Sequence, residues 1–314
     1  MTISLKQLTY FVALAEERSF GIAAARVHVS QPALSQQIKA LELLLGAPLV
    51  ERLPRDIRLT RAGQATLERA RRVLAEVRDI EGSVRLQQGL AGRLMLGVIP
   101  TIAPYLLPLA LTRIRARDLT LELRVREAQT ATLMQDLADG QIDAAVISLP
   151  VSQVRIEAEP LFTDQFLLAG SQDRLATWRA RAEHFRPEDV PQDQLLLLDE
   201  GHCLADQALE VCGLNRRRHV DLGASSLGTL AGLVAEGFGL TFLPEIAVRA
   251  EEGANTLALA RFTAPEPGRT IALVRRTSSA PDAWFPELAQ ILREAGQELL
   301  AHARAQVPPA NRAA

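Results

Sequence analysis

Cys203 and Cys212 are the only two cysteines in the 314-residue chain, and they stand nine positions apart in Gly201-His202-Cys203-Leu204-Ala205-Asp206-Gln207-Ala208-Leu209-Glu210-Val211-Cys212. If Leu204 to Val211 is helical, nine steps of about 1.5 Å put the two Cα atoms roughly 13 Å apart. A disulfide needs them within about 7 Å, so joining them means unwinding the segment. Cys203 precedes the expected helix start, where free amide groups can stabilise a thiolate and favour attack on peroxide. Cys212 falls near the other end, before Gly213, and can act as a resolving thiol once the helix loosens. A zinc site needs further ligands, and His202 and His219 form no familiar spacing with the cysteines. Inert core cysteines, metal ligands and a redox pair all stay open at this point.

The elements that must position these thiols belong to a long globular chain. Hydrophobic residues make up 48% and charged residues 23%, which excludes a disordered chain, and the length allows two or three domains. There is no apolar run of membrane-spanning length. Met1 to Gln7 lacks the basic, apolar, small-residue order of a secretion signal, so a cytoplasmic protein without a membrane partner is expected. Thiols are kept reduced there, which argues against a permanent structural disulfide. Charge is uneven: residues 1–90 hold 13 Lys+Arg against 9 Asp+Glu, net +4, leaving 22 against 28, net −6, for residues 91–314. A basic N-terminal part joined to an acidic remainder favours nucleic-acid binding by the first part.

Leu5, Leu8, Phe11, Val12, Leu14 and Ala15 recur at helical spacing, so residues 4–17 form a helix with an apolar face. Ser19 can cap a short helix over residues 20–26, and Ser30 a third, with Pro32 in its first turn. The third helix turns Leu34, Ile38, Leu41 and Leu45 inward and presents Ser30, Gln31, Pro32, Ser35, Gln36 and Lys39 outward. Small polar side chains of this kind reach base edges in a major groove; a merely solvated face is the alternative. Gly46 to Thr60 supports the first reading, as two short strands around Pro54 displaying Arg52, Arg55 and Arg58 toward phosphates. From Arg61 to Gln87 a helix carries the stripe Leu67, Leu74, Val77 and Ile80, which needs a partner to bury it.

Leu8-Thr9-Tyr10-Phe11, Ser19-Phe20, Ala23-Ala24-Ala25, Ser30-Gln31-Pro32-Ala33-Leu34-Ser35-Gln36-Gln37-Ile38-Lys39, Leu41-Glu42 and Leu59-Thr60-Arg61-Ala62-Gly63 together resemble the N-terminal domain of LysR-type transcriptional regulators. The resemblance implies a winged helix-turn-helix over residues 1–60 and a linker, or dimerisation, helix over 61–89. It also implies a homodimer assembling to a homotetramer, with double-stranded promoter DNA and RNA polymerase as partners.

After Arg93 short apolar strands alternate with helices. Strands are expected at Leu94 to Ile99, Leu119 to Val125, Ala144 to Ser148, Asp164 to Ala169, Gln194 to Leu198, Leu240 to Leu243 and Thr270 to Val274. Helices are expected at Tyr105 to Arg117, Thr130 to Ala138, the cysteine segment, Ser226 to Glu236 and Pro286 to Arg304. This alternation argues for a parallel α/β sheet. It resembles the two-lobed, periplasmic-binding-protein-like sensor domain of the same family, here over residues 90–304. Lobe I would take about 90–163 and 268–304, lobe II about 164–267, with crossings near Phe162 to Asp164 and Ala264 to Gly268. The fold expected is thus α/β with an all-α, winged N-terminal domain, and residues 305–314 read as a disordered tail.

Further matches surround the cysteines. Gly201-His202-Cys203-Leu204, Asp206-Gln207-Ala208-Leu209, Cys212, Gly239-Leu240-Thr241-Phe242-Leu243-Pro244, Gly97 to Pro108, Glu127-Ala128-Gln129-Thr130 and Arg269-Thr270-Ile271 are similar to the hydrogen-peroxide-sensing members of the LysR family. That similarity runs from about residue 3 to about residue 302. It implies Cys203 as the peroxidatic thiol, oxidised to a sulfenic acid, and Cys212 as the resolving thiol that closes a reversible disulfide. Thr101, Thr130 and His202 would line the peroxide pocket, with Asp206 beside it; cellular thiol reductants would reset the switch, and no cofactor or metal is implied. Ala205 and Ala231 depart from the pattern where arginines are common. Two rivals remain: a LysR-type regulator binding a small metabolite between its lobes, and a thiol peroxidase. The absence of an export signal argues against a solute-binding protein.

Overall fold

The computed structural model describes residues 2–53, 56–86, 93–117, 121–151, 156–179, 186–199, 201, 203–211, 224–254, 257–277 and 283–308. The chain forms two compact units, one built from Met1–Val84 with Ala138–Gln141 and the other from Arg85–Leu137 with Ile142–Ala314.

The first unit holds α1 (Leu5–Glu17), α2 (Phe20–Arg26), α3 (Gln31–Leu45), the hairpin β1 (Val50–Leu53) and β2 (Asp56–Leu59), and α4 (Arg61–Leu86). Each helix starts where a side chain accepts a free amide. Ser4 and Gln7 form a capping box on α1, while Ser19 and Ser30 cap α2 and α3. Thr60 Oγ1 accepts from Gly63 N (2.9 Å) and donates to the Pro48 carbonyl (2.7 Å), so one hydroxyl both starts α4 and pins the wing. Phe11, Leu14, Leu34, Ile38, Leu41 and Leu49 are the fully buried centre. Leu45 departs from the expected inward set: it is the last residue of α3, past that centre, and stands exposed.

The second unit holds β3 (Arg93–Val98), α5 (Ala103–Arg117), β4 (Glu122–Glu127), α6 (Thr130–Ala138), β5 (Ala144–Ser148), β6 (Ile156–Gly170), α7 (Gln172–Arg179), α8 (Cys203–Val211), α9 (Leu227–Ala235), β7 (Thr241–Pro244), α10 (Val248–Ala254), β8 (Ala258–Arg261), β9 (Gly268–Arg276) and α11 (Trp284–Gln306). The strand order is β4-β3-β5-β9-β6-β7, with β8 also on β6. The parallel sheet expected from the sequence is confined to β4, β3 and β5; every other named pairing is antiparallel.

β6 joins the two lobes. Ile156 to Gln165 pair with β9, and Phe166 to Gly170 continue into pairing with β7 and β8, so the strand begins eight residues earlier than Asp164. The strand expected over Gln194 to Leu198 is a single parallel rung, Leu195 with Leu240. The Leu196 carbonyl that would extend it accepts instead from the Thr241 hydroxyl at 2.8 Å. The tail also differs, since α11 runs to Gln306 and the Val307 carbonyl accepts from Arg261 Nε (2.9 Å) and Nη2 (2.7 Å).

Candidate redox site

β3, β4 and β5 deliver Thr101, Gln129-Thr130 and Ser148 to one end of their parallel ladder, the carboxyl edge where α/β sheets gather ligand-binding groups. Cys203 is the first residue of α8, a half-buried free thiol packed against the core. Gly201 sets the approach to that helix with a φ of +93°; a Cβ there would fall 2.5 Å from Gln129 Oε1. The turn before Cys203 therefore lies against the residue before Thr130, and only glycine fits it.

Thr101 is buried, and its hydroxyl accepts from Arg269 Nη1 at 2.8 Å while its carbonyl accepts from Nη2 at 3.3 Å. Because the hydroxyl oxygen is taken as an acceptor, its hydrogen is left to donate. Arg269 is itself held by Asp164 Oδ2, at 3.0 Å from Nε and 2.9 Å from Nη2, with both side chains 0% exposed. Asp164 Oδ1 also accepts from Ile246 N at 3.1 Å. Burial pushes the Asp164 carboxyl upward, against the pull of Arg269 and of that amide. Tyr105, one turn beyond Thr101, donates to Glu251 Oε1 at 2.7 Å, and burial together with that carboxylate drives its phenol well above the ordinary value. Thr130 heads α6, and its hydroxyl oxygen is buried without a hydrogen-bond partner among the described residues.

α8 turns Leu204, Ala205 and Leu209 into the core, whereas Asp206 is exposed. The polar side chain of that turn that reaches buried groups is Gln207, whose Nε2 donates to Ser148 Oγ (2.7 Å) and faces the Leu149 carbonyl (3.5 Å). Ala205 and Ala231 are both buried, so neither position offers a solvated place for a guanidinium. His202 and Cys212 lie outside the described residues. No group of three His, Cys, Asp or Glu among the described residues is placed to hold a metal ion.

In the first unit, Gln31, Pro32, Gln36 and Lys39 are exposed on α3 and Ser35 is half-buried. Ser30 Oγ is engaged as the helix cap, accepting from Ala33 N at 3.4 Å. Arg52 lies on β1, and Arg55 falls outside the described residues. Arg58 on β2 is exposed and pairs with Asp56 at 3.4 Å.

Residues 5–64 match the model of the bacterial regulatory helix-turn-helix protein, lysR family, and residues 87–297 that of the LysR substrate binding domain. The chain belongs to the LysR family. Its relatives within that family include a probable hydrogen peroxide-inducible genes activator of Streptomyces viridosporus, 42% identical over 94% of this chain and 95% of that one. The DNA-binding transcriptional dual regulator OxyR of Escherichia coli (strain K12) is 38% identical over 93% and 95%. Among solved structures, a full-length OxyR cysteine-to-aspartate variant from Pseudomonas aeruginosa superposes with a TM-score of 0.73 at 34% identity, covering 95% of each chain. An H2O2-bound Corynebacterium glutamicum OxyR cysteine-to-serine mutant gives 0.65 at 34%, covering 100% and 99%. The expected fold, a LysR winged helix-turn-helix with an α/β sensor domain, is therefore the fold of this chain.

For this LysR-family chain, reading the sequence for a site missed Arg269, Asp164 and Gln207. Arg269 carried two signals, its place in the matched segment Arg269-Thr270-Ile271 and a charge at the mouth of the apolar strand Ile271-Ala272-Leu273-Val274. Its partner is 105 positions away, which no local pattern reveals.

Proposed function

We propose that this LysR-family chain is a DNA-binding activator of oxidative-stress genes, switched by peroxide through a reversible Cys203–Cys212 disulfide. The observation that carries this reading is Cys203 at the head of α8, beside strand ends that present an unpartnered Thr130 hydroxyl and an Arg269-held Thr101. Names of relatives at 38–42% identity support the same reading.

The Cys203 sulfur attacks one peroxide oxygen: the S–O bond forms, the O–O bond breaks, and the distal oxygen leaves as water with the thiol's proton. Thr101, Thr130 and His202 supply hydrogen bonds to the departing oxygen. Cys212 then attacks the sulfenic sulfur, an S–S bond forms and a second water leaves. Cellular thiol reductants reverse the pair by exchange. The thiols report rather than turn over, and Asp206, being exposed, acts at most at the rim of the site.

DNA contact is assigned to the exposed face of α3, Gln31, Pro32, Gln36 and Lys39, and to Ser30, Ser35, Arg52 and Arg55. Promoter DNA, RNA polymerase and a second copy of the chain are the partners this reading requires, the dimers pairing into a tetramer in the cytoplasm. Remodelling of α8 then changes which half-sites the oligomer engages. Footprints of reduced and peroxide-treated protein on one promoter test the reading. The two are expected to differ, and Cys203→Ser is expected to abolish the difference; a peroxide response that survives Cys203→Ser defeats the proposal.

A further inference from the structure

Gln207 stands four residues after Cys203 in α8, and residues at this spacing share one helix face with Cβ atoms about 5–6 Å apart. A helical side chain leans toward the helix N-terminus, so the Gln207 carboxamide reaches back over the turn that carries the thiol. Its orientation is fixed by chemistry. The Leu149 carbonyl can only accept, which puts Nε2 on the side facing Leu149 O (3.5 Å) and Ser148 Oγ (2.7 Å). Oε1 is left pointing the other way, buried and without a partner among the described residues.

A buried acceptor without a donor is costly. The Arg269 guanidinium is committed to Asp164 and to both oxygens of Thr101. The Thr130 hydroxyl is itself unpartnered and buried. An O–H group of a bound small molecule would satisfy this acceptor. Hydrogen peroxide carries two, and it must direct them at acceptors for its oxygen atoms to face a sulfur nucleophile and the threonine hydroxyls.

We propose that Gln207 Oε1 is the built-in acceptor for a peroxide O–H in the Cys203 pocket, making Gln207 a substrate-orienting and selectivity residue of the sensing step. The proposal rests on the reading of Cys203 as the peroxidatic thiol. In it, the Cys203 sulfur attacks one oxygen, S–O forms as O–O breaks, sulfur loses two electrons to the departing oxygen, and that oxygen leaves as water with the thiol's proton. Gln207 moves no proton; it holds one O–H so that the O–O axis lines up with the sulfur.

The test compares two reagents on full-length protein with Cys212→Ser, so that Cys203 is the one thiol. Hydrogen peroxide brings O–H donors; methyl methanethiosulfonate brings none, so Gln207 has nothing to accept from it. Gln207→Leu and Gln207→Met are each expected to slow the peroxide reaction about tenfold, the rate equivalent of one hydrogen bond. The thiosulfonate reaction should stay within about twofold, so the rate ratio falls about tenfold. Gln207→Glu keeps an acceptor oxygen; its charge slows both reagents together, and the ratio is expected to stay near the parent value. A ratio unchanged in Gln207→Leu and Gln207→Met, or rates that fall in parallel, overturns the role of Gln207 and leaves the peroxidatic reading intact. A parent protein whose Cys203 reacts with peroxide no faster than a free cysteine overturns both.

Discussion

Arg269 and Asp164 form an ion pair with no exposure on either side, and such a pair is asymmetric in its energetics. Replacing both partners is often mild, but removing one leaves an uncompensated charge in the interior, at about 3–5 kcal/mol. Arg269→Met is therefore expected to lower unfolding stability by about that amount in urea titrations, and Arg269→Met with Asp164→Leu to recover much of the loss. Sulfenic acid formation should not recover in the double variant, because Thr101 has still lost the donor that fixes its hydroxyl. A double variant restored in both respects would make Arg269 purely structural. At this scale the cysteines were legible because their number and spacing are odd, and Gly201 because it flanks them. Gly63 was legible only as part of a motif. Its cause is spatial: a Cβ there would lie 2.0 Å from the Leu49 carbonyl oxygen, so Gly63→Ala is expected to displace the wing from α4.

α8 is an unbroken helix from Cys203 to Val211, so the distance argument drawn from the sequence applies to the real element: eight steps of about 1.5 Å already span about 12 Å. Closing the Cys203–Cys212 bond must then release part of the surface α8 buries. Leu209, buried on that surface, gives a measurable handle. Leu209→Ala should cost the reduced form about 2–5 kcal/mol and the remodelled oxidised form much less. That difference stabilises the disulfide, making its potential more negative by about 40–100 mV. Equilibration in glutathione buffers reads the shift, and an unchanged potential would mean that α8 keeps its packing on oxidation. Across the same unit, Arg113 of α5 and Arg249 of α10 donate to Glu298 of α11 at 2.9 and 3.3 Å. Arg113 first of all holds that carboxyl below its ordinary 4.5. A depressed carboxylate contributes stability above its unfolded pKa and loses it as pH falls through the folded one. Glu298→Gln is thus expected to melt slightly lower than the parent at pH 7 and equally near pH 3, a small effect because the group is exposed. Helices were legible from caps and periodicity. β6 was not, because its early half, Ile156 to Pro160, mixes glutamates into a strand whose order comes from β9 rather than from its own pattern.

Seen whole, the chain divides its charge as it divides its fold, with a basic excess in residues 1–90, which hold the helix-turn-helix, and this much composition alone revealed. The stripe that the sequence left in need of cover is partly met within the first unit, where Leu67 is buried and Leu74 packs on the same core. The first unit exposes Ile3 and Leu5 at 45% each, Val73 at 44% and Ile80 at 66%, and Ile3, Leu5 and Val73 line one groove with Leu45. A second copy is the occupant the proposed function requires, and two-fold symmetry would present the same patch from both sides. A glutamate within that patch would be desolvated opposite its own symmetry mate, a like-charge contact that costs several kcal/mol. Val73→Glu is therefore expected to give a monomer in sedimentation experiments while leaving the buried centre around Phe11 and Ile38 intact. DNA affinity separates this from a local lesion. Each phosphate contact contributes about −0.9 to the slope of log K against log salt, so a dimer that becomes a monomer should lose half of its slope as well as affinity. Loss of affinity with the full slope retained would mean that both DNA-binding units still engage together, and that Val73 lies outside the contact between copies.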